Sequence, residues 1–211
     1  MRADARDNRQ RLLVAARDVY SERGPAAPLD EIARRAGTGI ATLYRHFPDR
    51  EALMLEVVRD AIELSIEEGR LAASEEPDPF RALARYMHRV VDARTAAVIP
   101  SLLDAVSLDG EQLRQARETG PAILEALVDA AHRAGTLRAD VTAADIGMLM
   151  VRLSRLLPGG FAPETNSELS HRHLDLVLDG LRPAARQAAP LGGPALDMAD
   201  LRRMPQPGSE K

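Results

Sequence analysis

Apolar residues recur at helical spacing along most of this chain, and no stretch alternates as a strand would. Between Asp7 and about Arg23, Leu12, Ala15, Ala16, Val19 and Tyr20 keep one face apolar until Gly24-Pro25 stops the run. Leu29, Ile32, Ala33 and Ala36 stand at i, i+3, i+4 and i+7 and predict a short second helix. Gly37 closes it, since glycine takes up the left-handed conformation of a helix end without steric cost. A third helix starts near Gly39 or Ile40 and cannot pass Pro48, because the residue before a proline is pushed out of the helical region. Two short helices crossing at a glycine turn read as a helix-turn-helix. The second, of roughly two turns, is long enough to bring its first residues to base edges in a major groove. Asp49 then stands where it can cap a fourth helix, with Arg50 and Glu51 in the first turn.

The fourth helix carries Leu53, Val57, Ile62, Leu64 and Ile66 to about Leu71, before Ser74 to Pro79 breaks it. Asp78-Pro79 is a helix start, an N-cap residue followed by proline at the first helical position, and opens a segment with Phe80, Leu83, Met87, Val90 and Val91. Further helices are predicted over Ala96–Leu108, Glu111–Arg117 and Pro121–His132, the last two separated at Gly120. Thr142 and Asp145 form a capping signature ahead of Ile146, Leu149, Met150, Leu153, Leu156 and Leu157. A final helix runs from about Ser167 to Leu181. Residues 186–211 lack periodicity and are expected to be disordered. The expected fold is therefore all-α, with about nine or ten helices: a helix-turn-helix head over residues 1–52, a helical body over 53–185 and the tail.

Composition narrows the chemistry. The chain has 211 residues and no cysteine, which excludes disulfides, thiolate zinc sites and a cysteine nucleophile. There is no apolar run of membrane-spanning length and no signal-peptide pattern, so the expected setting is the cytoplasm, without a membrane partner. A net charge of −4 looks unsuited to DNA, but it is unevenly spread. Residues 1–50 hold ten Arg and seven acidic groups, net +3, whereas the other 161 residues hold eighteen basic and twenty-five acidic groups, net −7. A basic head on an acidic body lets the head follow phosphates while the body is repelled.

In its first 53 residues the chain resembles the TetR family of bacterial transcriptional regulators. The resemblance lies in Arg11-Leu12-Leu13, Ala15-Ala16, Gly24, Ile32-Ala33, Ala36-Gly37, the run Thr42-Leu43-Tyr44-Arg45-His46-Phe47 and Arg50-Glu51-Ala52-Leu53. In the body, Gly135 to Ile146 and His173 to Pro183 look like segments common in actinobacterial members. The resemblance implies a homodimer joined through the last two helices, an unidentified small-molecule effector held in the body, no cofactor and, in most members, repression at a near-palindromic duplex operator. Some positions depart from the family pattern. Thr38 replaces a usual Val, Gly39 a usual capping Ser, and Pro28 a usual capping Thr or Ser, each weakening a helix start in the head.

The residues expected to meet DNA are Arg9, Thr38, Gly39, Ile40, Ala41, Thr42, Tyr44, Arg45, His46 and Arg50. Helical spacing alone groups Ile40 with Leu43, Tyr44 and Phe47 as a buried face, whereas the resemblance places Ile40 at the exposed tip, free to touch a thymine methyl. The same resemblance packs the Tyr44 ring and sends its hydroxyl to a phosphate. Arg50, at a helix N-terminus, is expected to hold a phosphate as well.

For the effector the candidates are Tyr86, His88, Arg152 and Arg155, polar groups in otherwise apolar helical stretches. Leu149, Leu153, Leu174, Leu178 and Leu181 are the expected dimer contacts, so that Leu178→Asp should give a folded monomer. Two other readings have the same fold. One is a ligand-independent regulator or activator; the other is an all-α enzyme using His88, His132, His171 or His173 with a carboxylate.

Overall fold

The structure, a computed structural model, describes residues 2–103, 105, 111–155, 162–183 and 197, without the side chains of 2–5, 111–117 and 163. Among the described residues nine helices follow one another: α1 (Arg2–Arg23), α2 (Leu29–Arg35), α3 (Ile40–His46), α4 (Arg50–Glu75), α5 (Pro79–Asp92), α6 (Thr95–Leu103), α7 (Glu111–Arg133), α8 (Ala143–Leu153) and α9 (Pro163–Leu181). The fold is all-α, a helix-turn-helix head followed by a helical body. The tail expected to be disordered lies outside the described residues, as do Leu156 and Leu157, while α8 itself ends at Leu153 with Ser154 as its C-cap, short of the expected length.

Three helix starts, those of α4, α5 and α8, follow the expected chemistry. Asp49 Oδ1 accepts a hydrogen bond from the Ala52 amide at 2.8 Å, and Asp78 Oδ1 accepts from the Phe80 and Arg81 amides at 2.8 and 3.0 Å. Thr142 and Asp145 complete a reciprocal capping box. In the head, by contrast, Pro28 and Gly39 stand at the caps of α2 and α3 without any side-chain acceptor.

The largest difference from the expected elements is α7, one helix rather than two, continuous through Gly120-Pro121. An interior proline costs a backbone hydrogen bond and about 3 kcal/mol of helix preference. The apolar face of α7, with Leu124, Leu127, Val128 and Ala131 buried against α4 and α5, outweighs that cost. α1 and α9 also begin four or five residues earlier than the periodicity indicates, over polar residues that carry no apolar signal.

Two apolar clusters make up the core. The first gathers Leu12, Tyr20, Ile32, Leu43 and Phe47 of the head with Leu53 to Ile62 of α4, and also takes in Val98 and Leu102 of α6. The second lies among α5, α7, α8 and α9, around Leu83, Met87, Leu127, Ile146, Leu174 and Leu178. α4 is the spine that touches α1, α5, α6 and α7. Its closest crossing is at Gly69, where an added Cβ would stand 2.1 Å from Ile123 Cγ2 of α7. The end of α9 is tied back by the Arg138 amide on the Leu181 carbonyl at 3.0 Å, and the Arg182 guanidinium lies 4.2 Å over the Phe80 ring.

Candidate nucleic-acid interface

The turn between α2 and α3 is built as its residues require. Gly37 has φ +68°, and the Thr38 amide returns to the Ala33 carbonyl at 2.9 Å, with the half-buried Thr38 hydroxyl aimed at the same carbonyl. Gly39 then opens α3, its carbonyl accepting from the Thr42 amide at 2.9 Å. Leu43 and Phe47 are buried and anchor α3 in the head. What remains outside is the reading surface. Ile40 is 39% exposed, so here the resemblance rather than the spacing describes it, and Ala41 and Arg45 are also exposed. The Arg45 guanidinium donates to the Thr42 hydroxyl at 2.7 Å, holding a cation and a hydroxyl together at the surface.

Three candidates stand differently from expectation. Tyr44 is 50% exposed, so its ring is not packed into the head. Arg50, expected to hold a phosphate, is engaged within the subunit. It donates to the carbonyls of Pro25 and Ala27 at 2.9 and 2.5 Å and lies beside the buried Tyr20 hydroxyl, fastening the α1–α2 loop to α4. Burial pushes the Tyr20 hydroxyl up to about 12, with the Arg50 charge opposing. Arg9 is likewise turned inward, paired with Glu56 of α4 and 5.4 Å over the Phe47 ring. Carbonyls and a carboxylate within the subunit take up these guanidiniums, which a charge pattern cannot reveal. His46 is half-buried, its ring tilted against Phe47.

An arginine outside the expected set belongs with this surface. Arg11 is exposed on α1, and its guanidinium passes the turn, 3.6 Å from where a Cβ on Gly37 would stand. The signal available in the sequence was its place in the basic start of α1, which does not separate it from Arg9.

Behind the reading surface, buried charges join head to body. Arg17 of α1, 7% exposed, reaches Asp60 of α4 at 3.0 Å. Arg94, in the turn between α5 and α6, has φ +53°, a left-handed conformation that a non-glycine residue adopts at a cost of about 1 kcal/mol or more. Its guanidinium meets Glu22 of α1 at 3.1 Å, and Glu22 also accepts from Arg35 of α2 at 2.6 Å. Burial alone would raise the Glu22 carboxyl, but the two guanidiniums outweigh it and hold it below its ordinary value. Asp18 is raised, burial outweighing Arg94 and Arg17.

The body residues expected to meet an effector do not converge. Tyr86 is buried with its hydroxyl on Ser65 at 2.8 Å, while Arg152 and Arg155 are exposed. His88 lies against His171 of α9, away from both. None of the four lines the cleft of about 260 Å³ between α4, the start of α5 and α7, bounded by Gly69, Ala73, Pro79, Ile123 and Leu127 with Arg70 and Glu76 beside them. Of the expected dimer contacts, the three on α9, Leu174, Leu178 and Leu181, instead face the subunit's own core and are buried there, and Leu149 and Leu153 are half-buried. The exposed apolar side chains on these helices are Leu176, at 64%, and Met148, at 37%. A stripe at i, i+3, i+4 and i+7 is the one the subunit itself covers, and the residue two places on from Leu174 points away from it. Among the described residues no helix is long and apolar enough to cross a membrane.

Comparison with known proteins agrees with this architecture. Residues 12–57 match the family model of bacterial regulatory proteins of the tetR family, and residues 78–183 match that of the C-terminal domain of SbtR-like transcriptional regulators. A TetR transcriptional regulator of Streptomyces coelicolor, known from its crystal structure, is 35% identical over 84% of this chain and 99% of its own, with a TM-score of 0.58. An HTH-type transcriptional regulator of Staphylococcus aureus (strain USA300) is 37% identical over 67 residues, 31% of this chain. That match spans about a third (36%) of the curated relative's length. The regulator LfrR of Mycobacterium smegmatis, crystallised in complex with proflavine, is 21% identical with a TM-score of 0.56 over 80% of this chain and 95% of its own, and shares the fold. With its helix-turn-helix head and helical body matched in order, the chain belongs to the TetR family of transcriptional regulators, which are DNA-binding proteins and not enzymes.

Proposed function

We propose that this protein is a homodimeric, ligand-responsive repressor acting in the cytoplasm on a near-palindromic duplex operator. The observation that carries the reading is the tip of α3: Ile40, Ala41, Tyr44 and Arg45 stand exposed on a helix whose other face, Leu43 and Phe47, is locked in the head. Ile40 and Ala41 would contact thymine methyls, and the Thr42–Arg45 pair and the Tyr44 hydroxyl would donate to base edges or phosphates. Arg11 would hold the backbone beside the turn.

Dimerisation would use the outer faces of α8 and α9. Leu176 and Met148, with half-buried Leu149, Val151, Leu153 and Val177 around them, form an apolar surface that a second copy would cover in a four-helix arrangement. An effector would occupy the cleft between α4 and α7, whose mostly apolar lining, with one arginine and one glutamate, suits a small, mostly apolar molecule. That a regulator with the same fold was crystallised with proflavine supports the reading that a small molecule is bound. Its arrival would change the tilt of α4 and so the spacing of the two heads, which must lie about 34–36 Å apart to read one face of a duplex.

Selection of duplexes from a random library, followed by binding titrations at several salt concentrations, tests this. Tyr44→Ala and Ile40→Ala should change the preference between sites. Arg11→Ala should weaken binding to all sequences and reduce the salt slope by roughly one unit per subunit. A protein that selects no duplex sequence overturns the reading.

A further inference from the structure

Where α5 meets α9, four ionisable side chains form a continuous chain that the DNA-binding reading does not use. His88 Nε2 lies 3.1 Å from Asp175 Oδ1, and His171 Nε2 lies 2.6 Å from Asp92 Oδ1. Between the rings the two Nδ1 atoms are 2.7 Å apart. The ring centroids are 4.9 Å apart with planes 15° from parallel. That separation is close to the Nδ1–Nδ1 distance plus the two ring radii, so the rings meet edge to edge and the nitrogens point at each other.

Counting protons shows what this geometry needs. Three links, carboxylate to ring, ring to ring and ring to carboxylate, each require one proton. Two neutral imidazoles carry only two. With two protons, either the Nδ1 lone pairs face each other or a ring nitrogen faces a carboxylate without a hydrogen. With four, the Nδ1–H groups of two imidazolium ions oppose each other. The chain is complete with three: one imidazolium whose Nδ1–H donates to a neutral imidazole, flanked by two carboxylates. We infer that His88 and His171 form a one-proton binding site that latches α9 to α5, its central Nδ1–H···Nδ1 link made only in an intermediate pH window and lost on either side of it, while each ring keeps its carboxylate.

The surrounding charges leave the pair to itself. On α5, Arg85 is held by Glu75 and Glu76, and Arg89 by Glu68 of α4, with the Arg89 charge also acting on Asp92. On α9, Glu168, Arg172, Asp175 and Asp179 line the same shallow groove as His171, and His173 is exposed. On α8, Asp145 is engaged in its capping box and Arg152 is exposed. On α7, His132 Nε2 faces the Arg138 carbonyl at 2.9 Å, Glu125 is half-buried and Asp129 is exposed. α6 offers no titratable side chain. Among the described residues no charged group other than Asp92 and Asp175 contacts either ring, and none of their clusters suits a metal ion. Since α9 also carries Leu176, opening the latch would loosen the face proposed to meet a second subunit; that consequence rests on the proposed function, whereas the proton site does not.

The test is nuclear magnetic resonance of the full chain labelled with 15N at histidine, titrated from about pH 5 to 9 around the ordinary histidine range. A proton coupled to both Nδ1 nitrogens should appear in a middle window and vanish at both ends. It should be absent from His88→Gln and His171→Gln. The difference in melting temperature between the unsubstituted protein and His171→Gln should pass through a maximum inside the window, about 2–4 °C above its value on either side, the shift expected for one hydrogen bond in a chain of this length. Two rings titrating independently with no shared proton would overturn the inference, as would a difference in melting temperature that is flat or monotonic with pH. Loss of the shared proton on addition of one equivalent of zinc, with the melting temperature raised at high pH, would make the pair a metal site and overturn it equally.

Discussion

The two helices of the helix-turn-helix start differently from α4, α5 and α8, although α9 too begins uncapped, at Ala162. In the head, α2 and α3 begin at Pro28 and Gly39 with no side-chain cap, whereas α4, α5 and α8 begin at Asp49, Asp78 and Thr142 with full caps. Each missing cap forgoes from a few tenths to about 1 kcal/mol. The head's apolar cluster is also not its own, since it closes only over α4 and over Val98 and Leu102 of α6. A reading head that is locally weak and completed by the body is one whose pose the body can set. Arg17–Asp60 and Arg94–Glu22–Arg35 are the polar ties across that junction.

The sharpest way to break the comparison is a pair of substitutions two residues apart on α9. Leu178→Asp places a carboxylate in the subunit core and should cost more than about 4 kcal/mol, unfolding the body. Leu176→Asp should leave the subunit folded and helical but monomeric, with operator affinity reduced at least tenfold. Circular dichroism and sedimentation distinguish them, and a dimeric Leu176→Asp protein would remove this face from the interface.

Gly69→Ala tests how tightly the body is set. In an exposed helix this change gains up to about 1 kcal/mol. Here the new Cβ meets Ile123, a β-branched side chain with little rotamer freedom, so a loss of about 1–3 kcal/mol is expected in urea denaturation. Stabilisation would mean that α4 and α7 separate easily.

At the junction, Arg94→Ala keeps the strained φ and loses the ion pair, whereas Arg94→Gly loses the pair but relieves the strain. Ala should cost about 1–2 kcal/mol and Gly about 1 kcal/mol less. The contribution of the tie depends on pH in a defined direction. Glu22 is held below its ordinary value in the folded protein, so its stabilisation is present above the unfolded value and is lost as pH falls through the folded one. The difference between the protein and Arg94→Ala in melting temperature should therefore shrink in acid. The smallest effect is Gly39→Ser, which restores a cap into open space at φ −83° and should gain a few tenths of a kcal/mol in thermal unfolding.

Much of this protein is carried by adjacent residues. The boundaries of α2 and α3, the Gly37 turn, the Asp49, Asp78 and Thr142 caps and the anchors Leu43 and Phe47 all depend on neighbours within a turn or two, where periodicity and capping chemistry operate. The tip residues Ile40 and Ala41 were legible only through resemblance, because the first turn of a two-turn helix is too short for spacing to assign a face. Tertiary structure decided the rest. α7 runs through Gly120-Pro121 because its packing against α4 and α5 outweighs a local proline penalty. Arg9 and Arg50 turn inward because Glu56 and the carbonyls of Pro25 and Ala27, up to 47 residues away in sequence, lie within reach. Leu178 faces inward and Leu176 outward because an apolar stripe marks a buried side without naming what buries it. His88 and His171, 83 residues apart, share their geometry for the same reason: contact across helices follows from how the bundle closes, which no local pattern encodes.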